Sequence, residues 1–183
     1  GAARARSELA KTHNNIANAH SKAGDYENAL LNVEQALFHD PDLPEAHTNR
    51  KAMLWNRALT VGETNPGRGL ELHRAYVEMY PDWWQAHSEI GRIYLEQRDF
   101  LRAIVAFEAA SAMHPAATYN LALAHYRQGV QLQRASSDDE AIAHLKSATE
   151  FAPAMTDFYK TLGQAYRASG HHDEAVSTFR AAL

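Results

Sequence analysis

The sequence predicts an all-α solenoid of antiparallel helical hairpins, about five repeated units and ten helices with no strand. Three observations carry that expectation. First, a pattern of two small residues followed by proline recurs: Ala29, Ala36 and Pro41; Ala103, Ala110 and Pro115; Ala141, Ala148 and Pro153. Small residues seven apart share one helix face and let a neighbouring helix approach. The proline five residues later ends that helix. Second, the spacing repeats: Pro81 to Pro115 is 34 residues, Pro41 to Pro81 is 40 and Pro115 to Pro153 is 38. Third, breakers and cap residues fall between the apolar stretches, as in Gly24-Asp25-Tyr26, Pro41-Asp42, Pro81-Asp82 and Gly170-His171-His172-Asp173. Alanine fills the interiors, favouring helix and close packing.

Taken in order, the units span about residues 10–43, 44–83, 84–115, 116–155 and 156–183, the last without its proline, all within one domain over 1–183. In the first, Ala29 and Ala36 mark the second helix, and Ala2-Ala3-Arg4-Ala5-Arg6 precedes the first without an obvious polar cap. The second is a variant in which Gly69 and Tyr76 replace the alanines. Its Val61-Gly62-Glu63-Thr64-Asn65-Pro66-Gly67 stretch is rich in turn formers and predicts an inserted turn. The third is the most regular. The fourth carries extra residues around Val130 to Ser137, after which Asp138-Asp139 is expected to cap its second helix. The fifth ends with Ala175 and Ala182 at the small-residue positions. Insertions in such arrays emerge as loops or lengthened helices on one rim.

Composition excludes much. The 183 residues are 45% hydrophobic and 22% charged, enough for a continuous core. No apolar run is long enough to span a bilayer, so membrane insertion is not expected. A net charge of -4 gives no nucleic-acid footprint. The chain has no cysteine, which removes disulfides, thiolate ligands and cysteine catalysis. It starts at Gly1 rather than Met, compatible with a secreted or periplasmic mature chain or with a trimmed tag, and the compartment is not indicated. Glu140 and His144, one helical turn apart, offer two metal ligands without a third. No nucleophile elbow, phosphate loop or zinc-protease signature is present. Neither catalysis nor a cofactor or metal is expected.

The units resemble tetratricopeptide repeats. In the third, Ile90-Gly91, Tyr94, Ala103, Phe107, Ala110 and Pro115 fall at the family's positions. The fifth matches with Leu162-Gly163, Tyr166, Gly170, Ala175, Phe179 and Ala182, the first with Ile16-Ala17, Gly24, Ala29 and Ala36, and the fourth with Leu121-Ala122, Gly129, Ala141 and Ala148. The second departs, with Arg50-Lys51 where Leu-Gly is usual. The resemblance implies a right-handed superhelix with Tyr26, Tyr94, Phe100, Phe107, Tyr166 and Phe179 in its core. It also makes His13, His47 and His87 partly buried ring fillers, and puts His20 and His125 where tyrosine is common.

The resemblance further implies a protein or peptide partner in a groove lined by the first helix of each unit. Its groove positions select Lys11, Asn14, Asn15, Asn18 and Lys22 in the first unit, Asn49 and Trp55 in the second, Arg92 in the third, and Tyr119, Asn120 and Tyr126 in the fourth. A carboxamide both donates and accepts, so Asn15, Asn49 and Asn120, which share one repeat position, could read a peptide main chain. Trp55, Tyr119 and Tyr126 supply aromatic contact area. The carboxylate clamp of some relatives is not expected, because Asn14, Gln85 and Glu89 stand where it needs lysine or arginine, and Glu89 would repel a carboxylate.

Two alternatives remain open. Each unit leaves an apolar face for its neighbour, so Phe179, Ala182 and Leu183 could meet another copy end to end and build an oligomer or filament. The chain could also be the repeat arm of a larger multidomain protein.

Overall fold

The computed structural model describes all 183 residues, as ten α-helices, one 3-10 turn and no strand. The helices are α1 (Ala2–Lys22), α2 (Tyr26–His39), α3 (Pro44–Thr64), α4 (Pro66–Met79), α5 (Trp84–Glu96), α6 (Phe100–Met113), α7 (Thr118–Arg134), α8 (Asp138–Phe151), α9 (Thr156–Ala168) and α10 (His172–Ala181). They divide into two compact units, Gly1–Met79 and Tyr80–Leu183.

In the N-terminal unit, α1 packs on α2, α3 on α4, and α2 and α1 both meet α3. Ala10, Ala17, Ala29, Val33, Ala36, Ala46 and Met53 form its core with almost no exposure. The α1–α2 turn is closed by Gly24 at φ 78°, after which the Asp25 carboxylate accepts from the Asn28 backbone N–H at 3.2 Å and caps α2. The expected turn over residues 61–67 is instead helix. Helix α3 runs through Thr64, Asn65 alone separates it from α4, and the Asn65 side chain accepts from the Arg68 N–H at 3.0 Å. Pro66 then opens α4, where a missing N–H costs nothing. Gly62, which reads as a turn former, serves close approach to Gly69. A Cβ on Gly69 would lie 2.4 Å from the Gly62 Cα, so only glycine lets α3 and α4 cross there.

In the C-terminal unit, the pairs α5–α6, α7–α8 and α9–α10 follow one another, with α6 on α7 and α8 on α9. Repeats three and five use the same device. A Cβ on Gly91 would meet the Phe107 ring at 2.7 Å, and one on Gly163 would meet the Phe179 ring at 2.6 Å. Each ring therefore lies flat against a backbone with no side chain. Phe100, Phe107 and Tyr94 are buried, whereas Tyr166 and Phe179 are half-buried.

Helix lengths account for the uneven proline spacing. Helices α5 and α9 have 13 residues each, while α7 has 17. The four extra residues match the difference between proline spacings of 38 and 34, so the fourth unit's insertion is one more helical turn. Beyond it, Ser136 turns the chain at φ 59° and Ser137 sits at the N-cap without a side-chain bond. Asp138 and Asp139, expected as caps, occupy the first turn of α8 and oppose the positive helix end as charges rather than as hydrogen-bond caps.

Candidate functional site

The sequence-selected groove residues of the N-terminal unit converge on a cleft between α1 and α3. Asn14, Asn15, Asn18, Pro44, Glu45, Thr48 and Asn49 line it, enclosing about 520 Å³. Two of its carboxamides bind each other: the Asn49 Nδ2–H donates to the Asn14 Oδ1 at 2.9 Å, and Asn14 is 7% exposed. Asn14 is thus a cross-brace between α1 and α3, and the Asn49 oxygen is left as an acceptor. Asn15 is exposed and Asn18 half-buried on the same wall. Lys11 lies one turn earlier, 3.5 Å from Glu8 in a solvent-exposed pair that holds it weakly. Lys22 is exposed in the last turn of α1.

Trp55 is placed differently. Its ring lies 5.3 Å from His73 and 5.6 Å from Tyr76, both on α4, so it packs within the α3–α4 hairpin. The histidines at the fourth repeat position also differ from one another. His13 and His87 are half-buried, but His47 is exposed. His47 and His87 nevertheless share a hydrogen bond: His47 Nε2 lies 2.6 Å from the Pro41 carbonyl oxygen and His87 Nε2 lies 2.9 Å from that of Pro81, whereas His13 Nδ1 meets the Asn32 side chain at 3.2 Å. The His47 and His87 imidazoles each donate to a carbonyl that the proline turn leaves open.

In the C-terminal unit, Asn120 is half-buried and Tyr119 is 49% exposed on the first turns of α7. Arg92 is occupied: Glu89 holds its Nε at 2.8 Å and Glu96 its Nη1 at 2.6 Å, and these carboxylates raise its pKa despite partial burial. Tyr126 stacks on Phe158 of α9 at 4.6 Å and borders a second cleft of about 560 Å³. That cleft lies between α5 and α7, and its other walls are Leu95, Glu96, Arg98, Phe100, Leu123, Arg127, Val130, Gln131 and Arg134. Composition gave no sign of it, because three arginines gather here on a chain of net charge -4.

His125 and His144 face each other across α7 and α8 with their Nδ1 atoms 3.0 Å apart. Burial, then the neighbouring His144, pushes the His125 pKa down to about 4. His144 is lowered too, by burial, with Glu140 opposing. Both rings are therefore neutral near pH 7, one donating N–H and the other accepting. No group of three or more His, Cys, Asp or Glu is gathered so as to hold a metal ion. No helix is long and apolar enough to cross a membrane. At the end of the chain, Phe179 is half-buried against Gly163, Ala182 is half-buried and Leu183 is fully exposed.

Two family models, both described as tetratricopeptide repeat, match the chain, one over residues 88–156 and the other over 10–41 and 157–183. The variant second unit lies between the matched stretches. Among solved structures, a crystal structure of MamA aligns with a TM-score of 0.51 at 24% identity, over 92% of this chain and 92% of that chain. A structure of MamA AMB-1 aligns at 0.53 and 22% identity, over 94% and 89%. A further crystal structure of MamA protein gives 0.51 and 23%, over 96% and 91%. At these identities the likeness concerns the fold. No curated protein matches the sequence.

Proposed function

Because the chain belongs to the tetratricopeptide-repeat family, whose members are in general non-catalytic protein-interaction scaffolds, we propose that it binds an extended peptide segment of a partner protein through the first helices of its repeats. The observation that carries this reading is the α1–α3 cleft, where the Asn14 and Asn49 side chains brace one another while those of Asn15 and Asn18 make no hydrogen bond to another side chain. A carboxamide held by a rigid helix presents a donor and an acceptor to a passing main chain and makes no demand on its side chains. Lys11 and Lys22 flank this wall and add positive charge. Asn120, Tyr119 and Tyr126 extend the same function to the C-terminal unit, while Arg92 is tied to Glu89 and Glu96 and Trp55 to its hairpin.

The test is a selection of peptides from a random library on the immobilised chain, followed by calorimetry with the selected peptide. Asn15→Ala and Asn18→Ala should each weaken binding about tenfold, as expected for lost hydrogen bonds in a desolvated contact, with the thermal midpoint unchanged. Equal affinity of both variants and the parent would refute the cleft. Light scattering of the same sample reads the other outcome. A mass that stays at 20.4 kDa leaves the cleft as the working surface, whereas a mass climbing with concentration, and reset by Leu183→Asp, would replace this reading with self-assembly.

A further inference from the structure

We infer that the α5–α7 cleft is a second subsite, specific for an acidic peptide that carries apolar side chains between its carboxylates. The inference rests on the reading of the chain as a peptide binder and adds a distinct site with its own chemistry.

Helix α7 supplies the pattern. Leu123, Arg127, Val130 and Arg134 succeed one another at intervals of four, three and four residues, a single stripe on one helix face. Apolar and cationic side chains alternate along it, and the two arginines are about 10 Å apart along the axis at 1.5 Å per residue. All these residues line the cleft, with Leu95 and Phe100 supplying more apolar wall from across it. Arg134 belongs to the extra turn of α7; a 13-residue first helix like α5 or α9 would stop at Val130. The insertion of the fourth repeat therefore lengthens the stripe by its terminal arginine.

The third arginine arrives by a different route. Arg98 turns the chain from α5 to α6 at φ 61°, the place taken by Gly24 and Gly170 in repeats one and five. A long side chain is held in the left-handed region where glycine is the easier choice, and it projects along the cleft wall. Arg98, Arg127 and Arg134 are exposed and form no ion pair within the chain. The nearby acids are already engaged: Glu96 holds Arg92 at 2.6 Å and Asp99 holds Arg102 at 2.6 Å. The cleft thus has three unneutralised guanidinium groups over an apolar floor. Guanidinium forks pair with carboxylates through two parallel hydrogen bonds, which fits an acidic peptide. A single-stranded nucleic acid fits less well, because stacking needs a free aromatic face and Tyr126 is stacked on Phe158.

The experiment is fluorescence anisotropy on the full chain with three labelled probes: a short blocked peptide in which glutamates flank leucines, its counterpart with glutamine for every glutamate, and an oligothymidylate. The glutamate–leucine peptide should bind, and the affinity should fall as salt is raised. Arg127→Gln and Arg134→Gln should each weaken it about tenfold, and the glutamine peptide should bind about as poorly. Arg98→Gly should weaken it as well while raising the thermal midpoint, a pairing that mere loss of fold cannot produce. Asn15→Ala should leave this peptide's affinity unchanged, which separates the subsite from the α1–α3 cleft. Equal binding of the glutamate and glutamine peptides, no effect of the arginine substitutions, no binding of the glutamate peptide, or preference for the oligothymidylate would each overturn the inference.

Discussion

Lowering the pH from about 7.5 to about 5 should cost the folded C-terminal unit about 2 kcal/mol through His125 alone. In the unfolded chain this imidazole takes up a proton below its ordinary pKa of 6.5, whereas in the fold it resists until about 4. The unfolded state therefore binds more protons across that window. Stability is complete above pH 6.5, declines as pH falls, and levels off below 4, where the full difference corresponds to about 3 kcal/mol at 1.36 per pKa unit. The cause is local. His125 is 9% exposed, its ring lies 5.6 Å from Phe151, and its Nδ1 meets that of His144 at 3.0 Å. Protonating the acceptor ring would set two N–H groups head to head. His144 shifts in the same direction and adds to the loss, while Glu140 moderates it.

The assay is urea unfolding followed by circular dichroism at both pH values, for the parent chain and for His125→Phe. Phenylalanine keeps a ring against Phe151 and cannot titrate. The stability gap between the two pH values should shrink by about 2 kcal/mol in the variant, because the other acid-sensitive groups are common to both proteins. An equal gap in the two proteins would refute the reasoning. So would an NMR titration in which His125 protonates near pH 6.5 in the folded state.

Gly69→Ala should destabilise the N-terminal unit by about 2 kcal/mol or more, since its methyl would strike the Gly62 backbone, which cannot step aside as a side chain can. Gly67→Ala, two residues earlier with only an ordinary 3.6 Å contact ahead of it, should instead stabilise by about 0.5 kcal/mol; thermal unfolding of the pair distinguishes the two glycines. Asn65→Ala removes the bond to the Arg68 N–H and should cost about 1 kcal/mol, seen as faster amide exchange confined to the first turn of α4. Asn49→Ala leaves the buried Asn14 carbonyl oxygen without its donor and should cost about 1 kcal/mol in chemical denaturation, with Asn49→Asp no better because it cannot donate.

The helices were legible because they depend on spacing. Alanines seven apart, a proline five later and cap residues between them locate α2, α6 and α8 without any knowledge of what they touch. What local reading missed depended on a partner elsewhere in the chain. Gly62, Asn65, Pro66 and Gly67 look like a turn by composition, but Gly62 faces Gly69, Asn65 caps the next helix and Pro66 starts it. Gly62 uses its small size in a helix-to-helix contact, and Asn65 and Pro66 use their turn chemistry to start a helix, instead of building a loop. The histidine pair is similar. A spacing rule pairs His144 with Glu140, one turn away on its own helix, whereas its bonded partner His125 is on the preceding helix and beyond the reach of such a rule.

The arginine cleft shows why net charge is a poor guide to a repeat protein's surface. Charge summed over the chain is negative, yet geometry separates the signs: Glu89, Glu96 and Asp99 pair with Arg92 and Arg102, leaving Arg98, Arg127 and Arg134 unpaired around one cleft. Two of those three depend on departures from the regular repeat, one a non-glycine residue at a left-handed turn and the other an added turn of helix. Regular positions build the hairpins and are filled by alanine, glycine and aromatic residues for packing. Irregular positions are free of that demand, so a side chain held there at some cost in backbone conformation has to be explained by what it meets outside the core. On this chain two irregular positions, Arg98 and Arg134, deliver guanidinium groups to a single cleft, which makes such departures from the repeat the place to look for partner choice.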